Sequence, residues 1–484
     1  MERNLEQIKD ILLKALKNRD YQKVKDIFDN YAMIDIADSF KDLDEDNKED
    51  LKYLVLIFKI VKPSISSEFF SELDTDLQEE IINSLTNQEV ASLVQESSND
   101  DIADSIVEWP ANVVDKVLKN ASKDQRNEIN KLLGYKEDTA GSIMTTEFIT
   151  LFDSQTVKEA LDIIRKIGRN AETIYTLFVK NKKFDLVGVL NLDDLIFAEP
   201  NDKLIDIADK NFETVNVNTD QEEVAQIFKR YDLNAIGVLN DDKKLTGIIT
   251  IDDIVDVIEK ENSEDIEAMA NVAPLDDSYM NTPIIKLAFK CIPWLIVLMV
   301  LNIGSIFLQD QFQFLIGTLT AISVFLTTLC DTGGNSGSQS STLIIRGLAT
   351  KDFELKDYFK VLWKEFRVSL IVAIITSIFT FGFCMFMFSV NIVNIPNDFA
   401  PIANGEKEYL VWITLSATVS ISIFVTILLS KIIGASLPFL VTKIKLDPAV
   451  VTGPLITTIM DLITLTTYFL LLWGSFNIFW PQFF

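Results

Sequence analysis

Histidine is absent from all 484 residues, which removes imidazole from any metal site, proton relay or acid–base pair. Cysteine is nearly absent too: Cys291, Cys330 and Cys384 lie far apart, without partners at metal-ligand spacing. An ion handled by this chain must therefore accept oxygen ligands, as hard cations such as Mg2+ or Ca2+ do. Bases are scarce relative to acids, 44 against 71, giving a formal net charge of −27. Such a surface repels a phosphate backbone, so no nucleic-acid partner is expected, and it attracts cations. No phosphate-cradling loop and no nucleophile–base pair is present, so the sequence does not read as an enzyme. Met1 to Asp20 mixes charges of both signs and lacks an unbroken apolar run, unlike a signal peptide, which predicts a cytoplasmic soluble portion.

Hydrophobic residues make up 48% of the chain, unevenly distributed. The chain reads as soluble up to about residue 280 and as almost continuously apolar beyond it. From Leu5 to about Leu133, apolar residues recur at helical spacing in short segments divided by polar turns, with Ser71, Thr86 and Asp100 at expected caps. Short helices of this kind bury their apolar faces only by stacking. The following portion is internally duplicated, because Leu186 to Ile196 aligns with Leu245 to Val255. Each copy runs helix, strand, polar turn, glycine-bearing strand, then a helix opened by an Asp pair. Two copies in that order resemble a tandem pair of CBS domains. The resemblance implies ligand sensing, often of nucleotides, ATP among them; the residues leave open a pair that reads only cation or contact state. The second copy leads into an acidic helix carrying Asp252, Asp253, Asp256, Glu259, Glu261, Glu264, Asp265 and Glu267. It is expected to reach Pro283, either as a solvated linker or as a run of like charges that cations bridge.

Five apolar stretches reach the ~20 residues needed to cross a bilayer. They are Ile284 to Leu308, Phe312 to Cys330 continuing to Gly347, Val368 to Val390, Leu410 to Ile433, and Thr452 to Trp473. Bases concentrate between the second and third stretches (Arg346 to Arg367) and at Lys443 and Lys445, which predicts the N-terminus inside and the C-terminus outside. Three features exceed what an anchor needs. The run Asp331 to Ser341 is a polar, glycine-rich interruption, suited to close helix packing, to lining an aqueous cavity, or to both. Prolines at 438, 448 and 454 are expected to break or kink helices, with Asp447 either capping a turn or standing at a cytoplasmic mouth. Asp461 lies inside the last stretch, where a carboxylate costs about 2.5 to 3.5 kcal/mol on insertion scales. Thr457, Thr458 and Thr464 flank it, and no base in the bundle core is expected to neutralise it. That leaves an ion pathway, a protonated carboxyl or a helix–helix hydrogen bond.

Taken together, the acidic helical N-terminal region, the CBS pair, Ile251 to Glu259, Gly333 to Ser340, Leu343 to Thr350, Leu437-Pro438-Phe439, Asp447-Pro448-Ala449 and Pro454 through Asp461 resemble the MgtE family of magnesium channels over essentially the whole chain. The resemblance implies a helical N-domain (1–134), CBS domains (135–200 and 201–260), a connecting or plug helix (261–283) and a five-helix transmembrane domain (284–484). It implies a homodimer in membrane lipid with its pore on the two-fold axis. Asp461 then matches the pore aspartate facing hydrated Mg2+, and Asp447 an acid at the cytoplasmic end. Asp253, Asp256, Glu261 and Glu264 match positions that bind regulatory cytosolic Mg2+, while Thr457, Thr458, Thr464, Gly453 and Asn335 line the pore. Gly453, where some members carry asparagine, and Thr457, where a smaller residue is usual, depart from the pattern and leave selectivity among Mg2+, Co2+, Mn2+ and Ca2+, or exchange against another cation, open.

Overall fold

The computed structural model describes residues 5–41, 48–275, 279, 282–318, 321–393, 395, 407–448 and 453–480. The chain forms two compact units, Met1–Glu259 and Lys260–Phe484.

The first unit opens with short helices from Leu5–Lys17 to Lys123–Leu132, most of them three turns or fewer. Each buries only a few apolar side chains, so stability comes from pooling them in one core. Phe28 meets Phe69 edge-on at 5.3 Å, and Phe70 lies 6.0 Å from Trp109. The buried Trp109 Nε1 donates to Gln78 Oε1 at 3.2 Å, and Gln78 Nε2 donates to the Phe70 carbonyl, so this polar pair is satisfied. Thr86 forms a capping box with Glu89. Ser71 and Asp100 do not cap: Ser71 ends the Pro63–Ser71 helix, and Ser98 precedes the Asn99–Glu108 helix, whose first turn contains Asp100.

The duplicated portion folds into two three-stranded sheets of identical topology. Thr150–Phe152 runs parallel to Thr176–Lys180, which pairs antiparallel with Leu186–Asn191; Thr214–Asn216, Ala235–Leu239 and Leu245–Thr250 repeat the pattern. Even the register shift recurs, at Val179/Lys180 and Val238/Leu239. The second member of each Asp pair closes the following helix's first turn: Asp194 accepts from the Asn191 amide at 2.8 Å, and Asp253 accepts from the Thr250 hydroxyl at 2.8 Å. The acidic helix spans Ile251–Met269 and stops there. Described residues between 270 and 283 are non-helical, so this helix does not extend to Pro283 as expected.

Among the described residues of the second unit, four helices are long and apolar enough to cross a membrane: Ile284–Gln311, Leu355–Ser389, Glu408–Lys443 and Gly453–Phe479. The fifth expected stretch divides differently. Gln313–Thr318 is a short helix, and Ala321–Ala349 is a 29-residue helix whose middle, from Asp331 to Ser341, is too polar for it to read as an apolar span. Asp331 to Ser341 is therefore no interruption: the helix runs straight through it. Glycine weakens a helix by about 1 kcal/mol relative to alanine, but here glycine admits neighbouring helices. Gly334 meets Thr457, Gly337 meets Ile456 and Met460, and a methyl group at Gly434 would sit 2.3 Å from the Gly337 carbonyl oxygen. Small residues let backbones approach where lipid supplies no hydrophobic drive. Pro438 lies within the Glu408–Lys443 helix without ending it, and Pro454 occupies the second position of its helix, where a missing N–H costs nothing.

The seam gives a direct expectation. Gly434→Ala forces methyl against backbone and is expected to cost about 1–3 kcal/mol, read as a lower thermal midpoint of the detergent-solubilised protein. Gly382→Ala, with nothing within 4 Å, is expected to cause no loss. Equal losses from both would show that the close crossing is not what holds these helices.

Candidate ion-binding sites

The Gly453–Phe479 helix lays Ile456, Thr457, Met460 and Thr464 against the glycine face of Ala321–Ala349. Asp461 sits beside that seam, half-buried. The Cys330 thiol hydrogen-bonds to its carboxylate, and Asp331 is near enough to act on both. Thr457 and Thr458 donate instead to the Pro454 carbonyl, at 2.9 and 2.8 Å. Thr464, fully buried, presses its hydroxyl towards Gly333. Of the three threonines expected around Asp461, two are thus engaged with their own helix and one with the seam. Gly453 opens the helix, half-buried. Asn335 faces a separate open cavity of about 690 Å³, shared with Ser338, Gln339, Thr342, Leu343 and Lys431.

One expectation fails outright. A base does lie in the bundle core: Lys431 is 4% exposed. It does not neutralise Asp461, because its ammonium donates to Ser340 Oγ. Ser340 and Cys330 are ten residues apart on one helix, about 15 Å at 1.5 Å per residue.

A second concentration of acid lies wholly within the first unit. Asp100 and Asp101 occupy the first turn of Asn99–Glu108, where the helix dipole favours negative charge. Glu147 accepts from the Asn99 amide and from Asn99 Nδ2 at 2.9 Å. Thr145 Oγ1 donates to Asp100 at 3.0 Å, and Ser71 and Ser98 donate to Asp101 at 2.9 and 3.0 Å. Glu172, Asp252 and Asp253 complete the group. Desolvation first, then the neighbouring Asp101, pushes the Asp100 carboxyl up to about 8. Desolvation with Asp253 and Asp252 raises Glu172 to about 7, and desolvation with Asp252 and Asp101 raises Asp253 to about 6. Glu147 is raised mainly by burial. No lysine or arginine figures among the groups that shift them.

The remaining expected ligands divide between the units. Asp256 is raised by partial desolvation, Glu259 and Asp252, and its own charge reaches Glu72. Glu261 and Glu264 are half-buried further along the helix, in the second unit. Asp265, an acid of the same helix that is not among the positions matched to regulatory Mg2+, is raised by desolvation, then by the exposed Asp447 and by Glu261. Among the described residues no three carboxylates or thiols converge tightly enough to hold a metal ion directly.

Known proteins match this chain domain by domain. A family model described as a divalent cation transporter matches residues 326–471, one described as the MgtE intracellular N domain matches 31–138, and the CBS domain model matches 140–201 and 204–260. The magnesium transporter MgtE of Thermus thermophilus is 30% identical over 461 residues, 94% of this chain and 96% of its own length. That of Bacillus subtilis is 30% identical over 460 residues, 95% of this chain and 94% of its own. The crystal structure of the cytosolic domain of the Mg2+ channel MgtE in complex with ATP is 29% identical, covering 51% of this chain and 99% of that one, with a TM-score of 0.47. This chain is accordingly a multi-pass membrane protein with a helical intracellular N-terminal domain and a CBS pair, built from transport and regulatory modules and not an enzyme.

The raised carboxyls fix a sign. At about pH 4 and below, near the ordinary values of 3.8 and 4.5, folded and unfolded chains are both protonated and the cluster carries no penalty. As pH rises from there towards about 6 to 8 the unfolded chain has lost protons that the folded carboxyls still hold, so stability falls until those carboxyls too have titrated. In chelator, protease sensitivity of the N-terminal helices in the intact protein is expected to increase from about pH 5.5 to 8.5. Mg2+ should suppress the increase and Asp100→Asn flatten it. A flat profile for the unaltered protein would mean that these acids are not under strain.

Proposed function

We propose, from the premise that the chain belongs to the MgtE family of magnesium transporters, that it admits hydrated Mg2+ past Asp461 and closes when cytosolic Mg2+ occupies its acidic surfaces. The observation that carries this reading is Asp461 itself. It is a half-buried carboxylate on an apolar helix, beside Asp331, with the buried Lys431 committed elsewhere. Two neighbouring carboxylates on a membrane-facing bundle need a cation or a proton, and an exchanging divalent ion supplies the charge without a permanent partner. Mg2+ gives up its water reluctantly, so a path that offers carboxylate and backbone oxygens to the hydrated ion avoids most of the dehydration cost.

The topology follows the same reading. The Ala321–Ala349 helix, about 43 Å long at 1.5 Å per residue, makes the fifth crossing, its glycine and serine face packed on neighbouring helices while Asp331, Asn335, Gln339 and Thr342 stay exposed. Five crossings from a cytoplasmic head put the C-terminus outside. Two copies meeting on a two-fold axis would bring two Asp461 side chains to one pore and favour divalent over monovalent occupancy. Influx is driven by an inside-negative potential, which acts twice on a divalent ion.

Regulation belongs to the head. With Mg2+ abundant, cations bridge Asp100, Asp101, Glu147, Glu172, Asp252 and Asp253, and further along the helix Glu261, Glu264 and Asp265 with Asp447. With Mg2+ scarce, mutual repulsion shifts the population away from that arrangement. ATP on the CBS pair is the nucleotide part of this reading, checked by whether ATP shifts the Mg2+ level that inhibits. A broader divalent selectivity is the second reading, favoured by the Cys330 thiol at Asp461, since a sulfur donor there suits a softer ion such as Co2+ better than Mg2+.

Full-length protein in liposomes is expected to pass Mg2+, and Asp461→Ala to reduce the flux about tenfold or more. Unchanged flux would remove Asp461 from the pore. Paired Asp100→Asn and Asp253→Asn substitutions are expected to raise the internal Mg2+ concentration that half-inhibits flux. An unmoved midpoint would place sensing elsewhere. Competition between Mg2+ and Co2+, with and without Cys330→Ser, decides between the two selectivities.

A further inference from the structure

The membrane unit holds a second set of ionisable groups that the transport reading does not use. Lys431 Nζ donates to Ser340 Oγ at 3.3 Å, and the Ser340 hydroxyl donates to Glu365 Oε2 at 2.6 Å. Lys431 is 4% exposed, Ser340 0% and Glu365 8%. Each comes from a different helix: Glu408–Lys443, Ala321–Ala349 and Tyr358–Ser389. A serine hydroxyl has one proton to give and lone pairs to accept with, and Ser340 spends both on charged partners from opposite sides.

Place matters as much as chemistry. Ser340 lies one turn beyond Gly337, and Lys431 one turn before Gly434, so the polar link spans the same crossing at which those two glycines touch. Lys431 also stands in the wall of the open cavity that Asn335, Ser338 and Gln339 line. Three apolar side chains would hold these helices together at least as well, because buried ion pairs seldom add net stability. What the charges add is discrimination. A slide or rotation of the glycine-rich helix by one residue strands an ammonium and a carboxylate in a low-dielectric bundle, whereas an apolar contact would re-form in the new register.

We infer that Lys431, Ser340 and Glu365 form a charge-bridged clamp that fixes the register of the glycine-rich helix, and through it the position of Cys330 and Asp331 against Asp461. The three are positioning residues: none of them touches Asp461. The inference rests on the transport reading for its flux measurements, though not for its stability measurement.

The test uses full-length protein in liposomes, with Mg2+ and Co2+ fluxes read separately. Lys431→Met and Glu365→Gln are each expected to lower Mg2+ flux about tenfold and to change the Mg2+ to Co2+ ratio, because each strands one buried charge. The double variant Lys431→Met with Glu365→Met is expected to recover to within about threefold of the unaltered protein and to restore the ratio. Ser340→Ala should behave like the single variants. Loss of folded protein lowers both fluxes alike and leaves the ratio unmoved, so the ratio separates mispositioning from misfolding. Single variants with normal flux and ratio, or a double variant no better than the singles, would overturn the clamp. If the unaltered protein passes no Mg2+, the transport reading falls instead. The clamp is then judged by thermal midpoint, where the singles should lose stability that the double regains, and additive losses would overturn it.

Discussion

A charge taken out of water must find a countercharge, a proton or a hydrated ion, and the arrangement of this protein follows from which of the three each acid receives. In the membrane unit Glu365 receives the first, through Ser340 and Lys431. Asp461 has a thiol and another acid beside it, with no base. The two solutions meet the glycine-rich helix at Ser340 and at Cys330, about 15 Å apart along it, and have opposite consequences. The paired charges are satisfied permanently and resist movement, while the unpaired ones stay open to whatever cation arrives.

The same contrast organises the head. Asp100, Glu172 and Asp253 come from the N-terminal helices, the first CBS copy and the acidic helix, and are packed closely enough to raise one another's affinity for protons. Capping bonds, from Thr250 to Asp253 and from Asn99 to Glu147, hold the carboxylates in place without neutralising them. The result is a surface whose packing costs more as its protons leave, and a divalent cation is the natural replacement for those protons at neutral pH.

Local pattern made much of this legible in the sequence. The repeated strands announce themselves through Gly188 and Gly247 in matching positions, and Asp461 through its place in an apolar run. Two failures have physical causes. The stretch from Asp331 to Ser341 reads as a break because glycine and serine are poor helix formers, yet the helix is continuous because Thr457, Ile456 and Gly434 fill the space that side chains would take; no local rule contains those partners. Lys431 escaped because its own helix is otherwise apolar, although a lone base inside a span is itself a signal of function. Asp100, Glu147 and Glu172 were beyond reach for another reason: their neighbours are distant in sequence and meet only once the N-terminal helices pack on the CBS pair.

Base placement follows one logic in both units. The chain has 44 lysines and arginines, enough to pair many of its acids, and it does so at exposed positions such as Lys59 with Glu89, where a bridge is worth little. Beside Asp461 stand the Cys330 thiol and Asp331, and beside Asp100 stand Thr145 and other acids, rather than bases. A lysine at either place would settle the charge for good and make occupancy independent of ion concentration. Leaving those carboxylates to one another keeps their occupancy a function of how much cation is present, which both a pathway and a sensor require.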